Sequence, residues 1–384
     1  MSLKTIKASA LEDWLRHRYF DAKIDISGSG VQDYSLAELV SLTSLTFEDL
    51  GALVFHDSPT LGAEPLRAAI SDRFDPRRLA EPMVTHGSTE AIFLALVALL
   101  SPGEEVVVLS PVYPSLSAVV EAIGAKITVW PLDPAADFAP DLDLLASLLH
   151  PGVRAVIVNF PHNPTGASLD DAQLDRLVEL VDGVGATLIW DAAFAELTYG
   201  TSCRQPEPGS DPRIVVTGSL SKAYGLPGIR IGWCLAPPDL LADMVRIRDY
   251  VTLAASPLNE MIATAVLRAA DRVVGPRLAK ARENRELLRR WAADQPELVS
   301  LPVPHGGVSA FPRFTGVADT TDACIRLADE QRVLVVPGAC FGHPDRVRIG
   351  FGNDSDALAA GLAATAQLMS SIAQNDHTTG TSSC

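Results

Sequence analysis

Ser219-Leu220-Ser221-Lys222-Ala223-Tyr224-Gly225-Leu226-Pro227-Gly228-Ile229-Arg230 is the stretch on which the reading of this chain turns. It follows residues 214–217, a short β-branched apolar run of the kind that forms a buried strand. Lys222 thus comes after a strand, beside two serine hydroxyls, with Arg230 eight residues on. A nearby cation and a hydroxyl cluster lower a lysine pKa, which is what a Schiff-base lysine needs. Arg230 has the fork geometry for phosphate oxygens. A surface lysine and arginine flanking a loop is the plain alternative.

Similar apolar runs stand at residues 106–109, 155–158 and 187–190, each bounded by Gly, Pro, Asp or Asn. Helical patterns lie between them. One is read as starting at Ser168, with Asp171 three residues on, and burying Leu174, Leu177, Val178 and Val181. Alternating strands and helices predict an α/β domain with a doubly wound, mainly parallel sheet. After about Asp271 the texture changes to a charged helix over 276–293, short strands near 333–336 and 346–351, a helix from about Asp322 and a last helix over 357–372. That predicts a smaller α+β domain. The expected division is 1–45 as a segment joining the small domain, 46–272 as the large domain and 273–384 as the small one. Residues 375–384 read as a frayed tail.

Other elements sit where an α/β sheet places its chemistry, at carboxyl ends of strands. Thr85-His86-Gly87-Ser88-Thr89-Glu90-Ala91 is a small-residue turn entering a helix, suited to an anion, or simply a cap. Asp191 ends one apolar run, and Asn163 lies in Asn159-Phe160-Pro161-His162-Asn163-Pro164-Thr165-Gly166 after another. Tyr113 follows a further run in Pro111-Val112-Tyr113. Gly28-Ser29-Gly30 is a weak match to a dinucleotide loop, because position 33 is Asp.

Composition narrows the class. The chain has 384 residues, 47% of them hydrophobic, and a formal net charge of −16. That length and apolar content predict a two-domain globular protein. The acidic balance argues against nucleic acid or an anionic membrane as partner. The five cysteines, Cys203, Cys234, Cys324, Cys340 and Cys384, form no CxxC pair, which predicts reduced thiols in the cytoplasm and no metal site. No signal-like core stands at residues 1–10, and no run is long enough to span a membrane.

Taken together and in this order, these elements resemble the fold-type-I pyridoxal phosphate (PLP) enzymes of the aspartate aminotransferase superfamily, over nearly the whole chain. The resemblance implies PLP on Lys222, Asp191 at the pyridine nitrogen, Asn163 at the phenolic oxygen and Tyr113 stacked on the ring. Ser88, Thr89, Ser219, Ser221 and Arg230 would hold the phosphate. Arg348, in Arg346-Val347-Arg348-Ile349-Gly350-Phe351, matches the arginine that clamps the substrate α-carboxylate. The family builds its sites across a dimer interface, which implies a homodimer. Two departures stand out. Phe194 replaces the usual tyrosine, and His56-Asp57 stand where a tyrosine is donated across the dimer.

Several stretches resemble a narrower group, the capreomycidine synthases: Leu11-Glu12-Asp13-Trp14-Leu15-Arg16, Tyr19-Phe20, Asp25-Ile26-Ser27-Gly28-Ser29-Gly30-Val31, Val54-Phe55-His56-Asp57-Ser58-Pro59 and Ser221-Lys222-Ala223-Tyr224-Gly225-Leu226-Pro227-Gly228. This implies a cyclase of β-hydroxylated arginine in antibiotic biosynthesis, with Ser29 and Gly30 beside Arg348 at the substrate. Lys222 would carry the α-proton and serve as general acid for the departing hydroxyl. The substrate is expected to be 3-hydroxyarginine or 3,4-dihydroxyarginine. Asp25, Asp33, Asp57 and Glu196 are candidates to hold its guanidinium, with His56 and His162 as further polar candidates. An aminotransferase needing a keto acid is the main rival, and a simple β-eliminating lyase another.

Overall fold

The structure, a computed structural model, describes residues 6–200, 204–210 and 213–379. Cys203 and Cys384 lie outside the described residues, as do residues 1–5 and 380–384.

Among the described residues an eight-stranded sheet forms the centre. Its order is Glu81–Thr85, Gly232–Ala236, Arg213–Ser219, Thr187–Asp191, Val153–Asn159, Glu105–Ser110, Lys126–Pro131, with Gly209–Ser210 paired on Arg213–Ser219. The run from Arg213–Ser219 to Lys126–Pro131 is parallel, and Gly232–Ala236 is antiparallel to both its neighbours. Thr187–Asp191 is buried at every position, because helices cover both faces of a parallel sheet. The predicted strands are all present. Glu81–Thr85, Lys126–Pro131, Gly209–Ser210 and Gly232–Ala236 are additional ones in this sheet.

Two helix starts differ from expectation. The helix after Thr165 is Asp171–Asp182, capped by Asp170 rather than Ser168. Asp170 and Gln173 form the reciprocal box, with Gln173 N donating to Asp170 Oδ1 at 2.8 Å and Asp170 N donating to Gln173 Oε1 at 3.0 Å. A carboxylate at that place also meets the positive end of the helix dipole. The charged helix is Ala270–Ala293 and passes through Pro276 instead of starting there. Proline removes one backbone hydrogen bond, but Ala270, Val273 and Val274 are buried on the preceding turns, and that packing keeps the helix continuous. The last helix, Ser355–Thr379, takes in five residues expected to fray.

Around this core a second set of short strands packs near Arg348. Val347–Gly350 lies between Ser309–Ala310 and Val336–Pro337. The N-terminal segment joins it: Ile24–Asp25 pairs in parallel with Val333–Leu334. The indole of Trp14, on helix Ala10–Arg16, donates to the Val335 carbonyl at 2.8 Å. No helix among the described residues is long and apolar enough to cross a membrane.

Candidate active site

The parallel ladder aligns three strand ends. Asn159 pairs with Asp191, and Asp191 with Thr217, so Asn159, Asp191 and Ser219 all emerge at one edge. Tyr113 arrives from the loop after Glu105–Ser110. Together they enclose a cavity of about 240 Å³. Ser29, Ser88, Thr89, Asn163, Ser221, Lys222, Arg230 and Arg348 line the same cavity. Gly30 stands just behind it: Val31 N donates to Lys222 O at 3.1 Å. A Cβ on Gly30 would lie 3.3 Å from Ser221 O, so a side chain there would press on the lysine loop.

Lys222 Nζ donates to Ser29 Oγ at 3.0 Å and lies 5.9 Å from the centre of the Phe194 ring. Burial, and then the Arg348 charge, push its pKa down to about 8. Asp191 is buried. It accepts from Asn159 Nδ2 and Ala193 N, each at 3.2 Å, and from Thr217 Oγ1 at 3.4 Å. Burial still pushes its pKa up to about 6, against the effect of those donors and of Lys222. A carboxylate in that state lacks a cation, which a protonated ring nitrogen would supply.

Arg348 is 2% exposed. Its partners are neutral: Nη1 donates to Asn163 Oδ1 at 3.3 Å and Nη2 to Ser27 O at 2.8 Å. Its buried Nε has no partner among the described residues. Burial pushes its pKa down to about 10. A guanidinium buried among neutral groups is costly, and a substrate carboxylate is the anion that would complete it. The Tyr113 hydroxyl donates to Glu12 Oε1 at 3.0 Å, and burial followed by that carboxylate pushes its pKa up to about 12.

The residues present fit pyridoxal phosphate. Helix Ser88–Leu99 begins at Gly87 with no side-chain cap, which leaves its first N–H groups for an anion. Gly87 has φ 78°, and a Cβ there would lie 2.5 Å from Arg230 Nη2, so glycine lets the guanidinium reach the helix end. Arg230, itself at φ 52°, is braced by Pro227 O at 2.9 Å and Ser221 Oγ at 3.4 Å. Ser219 Oγ donates to Ser221 Oγ at 2.8 Å, which gathers the hydroxyls at the same end.

The four acids expected to hold a guanidinium do not line this cavity. Asp25 accepts from Ser27 N and Oγ at 2.7 and 2.6 Å. Glu196 is ion-paired with Arg73, and Arg73 Nε donates to it at 2.7 Å. Asp57 is exposed, as is His56, and Asp33 lies outside the lining. His162 is buried between Thr165 Oγ1 and Pro111 O, each at 2.7 Å, and burial pushes its pKa down to about 4, a structural role. The cavity also contains residues to which the sequence assigned no role: Glu12, Asn159, Leu11, Leu15, Ala193 and Pro227. Asn159 carried a signal, a polar residue closing a buried run. Glu12 carried a different one, its place in the stretch Leu11-Glu12-Asp13-Trp14-Leu15-Arg16 that resembles the narrower group, but nothing in that stretch gave it a role.

Comparison with known proteins agrees with this geometry. The family model for aminotransferase class I and II matches residues 55–364. The chain is 48% identical to the capreomycidine synthase of Streptomyces vinaceus over 95% of its own length and 94% of that protein's. It is 32% identical to the arginine–pyruvate transaminase AruH of Pseudomonas aeruginosa over 75% of each chain. Among solved structures, the PLP-dependent cyclase OrfR superposes with a TM-score of 0.89 at 41% identity, covering 95% of this chain and 97% of that one. A PLP-dependent aminotransferase from Streptococcus suis gives 0.89 at 27% identity, over 96% of this chain and 99% of that one. Aspartate aminotransferases of Thermus thermophilus share the fold, with a TM-score of 0.84. The chain belongs to the aminotransferase class I and II family of pyridoxal phosphate-dependent enzymes.

Proposed function

We propose that this enzyme is a cyclase: it converts a β-hydroxylated L-arginine, 3-hydroxyarginine or 3,4-dihydroxyarginine, into the corresponding six-membered cyclic guanidino amino acid, capreomycidine or its 4-hydroxy form, in antibiotic biosynthesis. The observation that carries the reading is the identity to capreomycidine synthase, 48% over 95% of the chain.

The site's own residues supply the necessary acts. PLP, held by Lys222, Asp191 and Arg230, would supply an electron sink for the substrate's α-carbon. Arg348 clamps the α-carboxylate by its fork and so fixes where the α-hydrogen points. Lys222, with its lowered pKa, takes that proton and later returns one. Asp191 keeps a positive charge stable at the far end of the cavity. The β-hydroxyl departs as water, with Lys222 as the proton donor. A guanidine nitrogen of the same substrate then bonds to the β-carbon and gives up its proton to Lys222, and that is the proton Lys222 returns to the α-carbon. One C–O bond is exchanged for one C–N bond, so no oxidant and no keto acid is required. Holding the two reacting ends within one cavity makes the closing step unimolecular. Phe194 presents a ring and no hydroxyl near Lys222, consistent with chemistry other than plain transamination.

The enzyme acts as a homodimer in this reading. Phe47, Val54 and Phe55 are exposed apolar side chains on one segment, and Tyr250, Val251 and Leu253 on another. Such groups call for a covering surface.

The test is mass analysis of the PLP-loaded enzyme with each hydroxyarginine and no keto acid. A product lighter by one water, with its amine retained and no ammonia released, is expected. Turnover only when a keto acid is added would replace the cyclase with an aminotransferase, the reading favoured by the resemblance to the arginine–pyruvate transaminase.

A further inference from the structure

We infer that Glu12 is the carboxylate that receives the guanidinium of the substrate, and so sets the enzyme's preference for arginine derivatives. This rests on the arginine-derivative reading above.

Glu12 and Asp191 are the carboxylates that line the cavity among the described residues. Asp191 is buried and committed to Asn159, Ala193 and Thr217. Glu12 is only partly buried and makes one side-chain hydrogen bond among the described residues, from the Tyr113 hydroxyl to Oε1 at 3.0 Å. An ionised carboxylate accepts about four hydrogen bonds, so Glu12 has capacity left for a ligand in the cavity it lines.

Charge requires such a group. Lys222, Arg230 and Arg348 line the same space. In the reading above the phosphate answers Arg230 and the α-carboxylate answers Arg348, so the substrate's guanidinium needs an anion of its own. Glu12 is also held rigidly enough to discriminate. Its helix, Ala10–Arg16, is capped by Ser9 Oγ, which accepts from Glu12 N at 3.2 Å, and is anchored by the buried Leu11 and by the Trp14–Val335 hydrogen bond. Leu11 and Leu15 flank Glu12 on the cavity wall and offer apolar contact to the methylenes of an arginine chain.

The experiment is a binding titration followed by the cofactor's absorbance, on PLP-loaded wild type and Glu12→Gln, with L-arginine and with L-citrulline, its uncharged isostere. Removing a charged hydrogen-bond partner is expected to weaken L-arginine binding about 10- to 100-fold and to leave L-citrulline binding unchanged. Glu12→Asp should recover part of the loss. With 3-hydroxyarginine, KM should rise far more than kcat falls. Equal binding of L-arginine by both proteins would overturn the assignment, as would a wild type that does not prefer arginine to citrulline. A Glu12-dependent arginine preference without any dehydrated product would instead sink the cyclase reading and leave the assignment of Glu12 standing.

Discussion

Ser29 Oγ accepts a 3.0 Å hydrogen bond from Lys222 Nζ across 193 residues of sequence. A hydrogen bond to the ammonium favours the charged form, while burial and Arg348 favour the neutral one. The second effect wins, which brings the pKa to about 8. Loading of the apoenzyme with PLP, which needs neutral lysine, should therefore rise with pH and be half-maximal near 8. Ser29→Ala removes the bond that holds the proton, so the same curve should shift to lower pH. Stopped-flow absorbance across pH measures both; a shift to higher pH would contradict the argument.

Lys222→Ala should leave a folded protein, by circular dichroism, with turnover reduced at least about 10³-fold, the scale of a lost acid–base group. Survival of more than a few per cent of wild-type kcat would mean that another base carries the proton.

Arg348 sits buried, and its Nε has no partner among the described residues. Arg348→Lys keeps the charge but loses the fork, and kcat/KM for any amino acid substrate should fall by about 10²-fold or more. Steady-state kinetics check this. A change below about threefold would place the α-carboxylate elsewhere.

Asp191 gives a stability prediction whose sign depends on the cofactor. Its folded-state pKa is raised from the usual carboxylate value to about 6. The folded apoenzyme thus binds more protons than the unfolded chain between about pH 4 and 6, and stability falls as pH rises through that window. Asp191→Asn should therefore melt above wild type in the apo form at pH 7, and the gap should close near pH 4. PLP held with its protonated ring nitrogen at Asp191 would supply a cation there, and loading should then reverse the order. Thermal melts of both forms at both pH values decide it.

Phe55 is 72% exposed, on a segment with Phe47 and Val54. If this segment covers the interface of the proposed homodimer, Phe55→Asp should shift it toward monomer in sedimentation velocity and lower specific activity at dilute protein concentrations. An unchanged sedimentation profile would place the interface elsewhere.

What local sequence determined is the strand framework and the residues that close it. Asn159, Asp191 and Ser219 end buried apolar runs, and hydrophobic pattern alone marks such ends. Lys222 and Arg230 follow from the turn after the last of those strands, and resemblance to a family supplied their roles. Helix starts were less legible, because Ser168 and Asp170 are both good caps and only the pairing with Gln173 chooses between them. The substrate side of the cavity was decided by tertiary structure. Glu12 and Ser29 are brought to Lys222 by the N-terminal segment packing on the strands at Val333–Leu334 and around Val335. Asp25, on the same segment, is turned to Ser27, while Glu196 is paired with Arg73 from another helix. The physical reason is range: a strand end is set by its own residues, whereas a cavity wall depends on contacts between segments hundreds of residues apart, which no local spacing records.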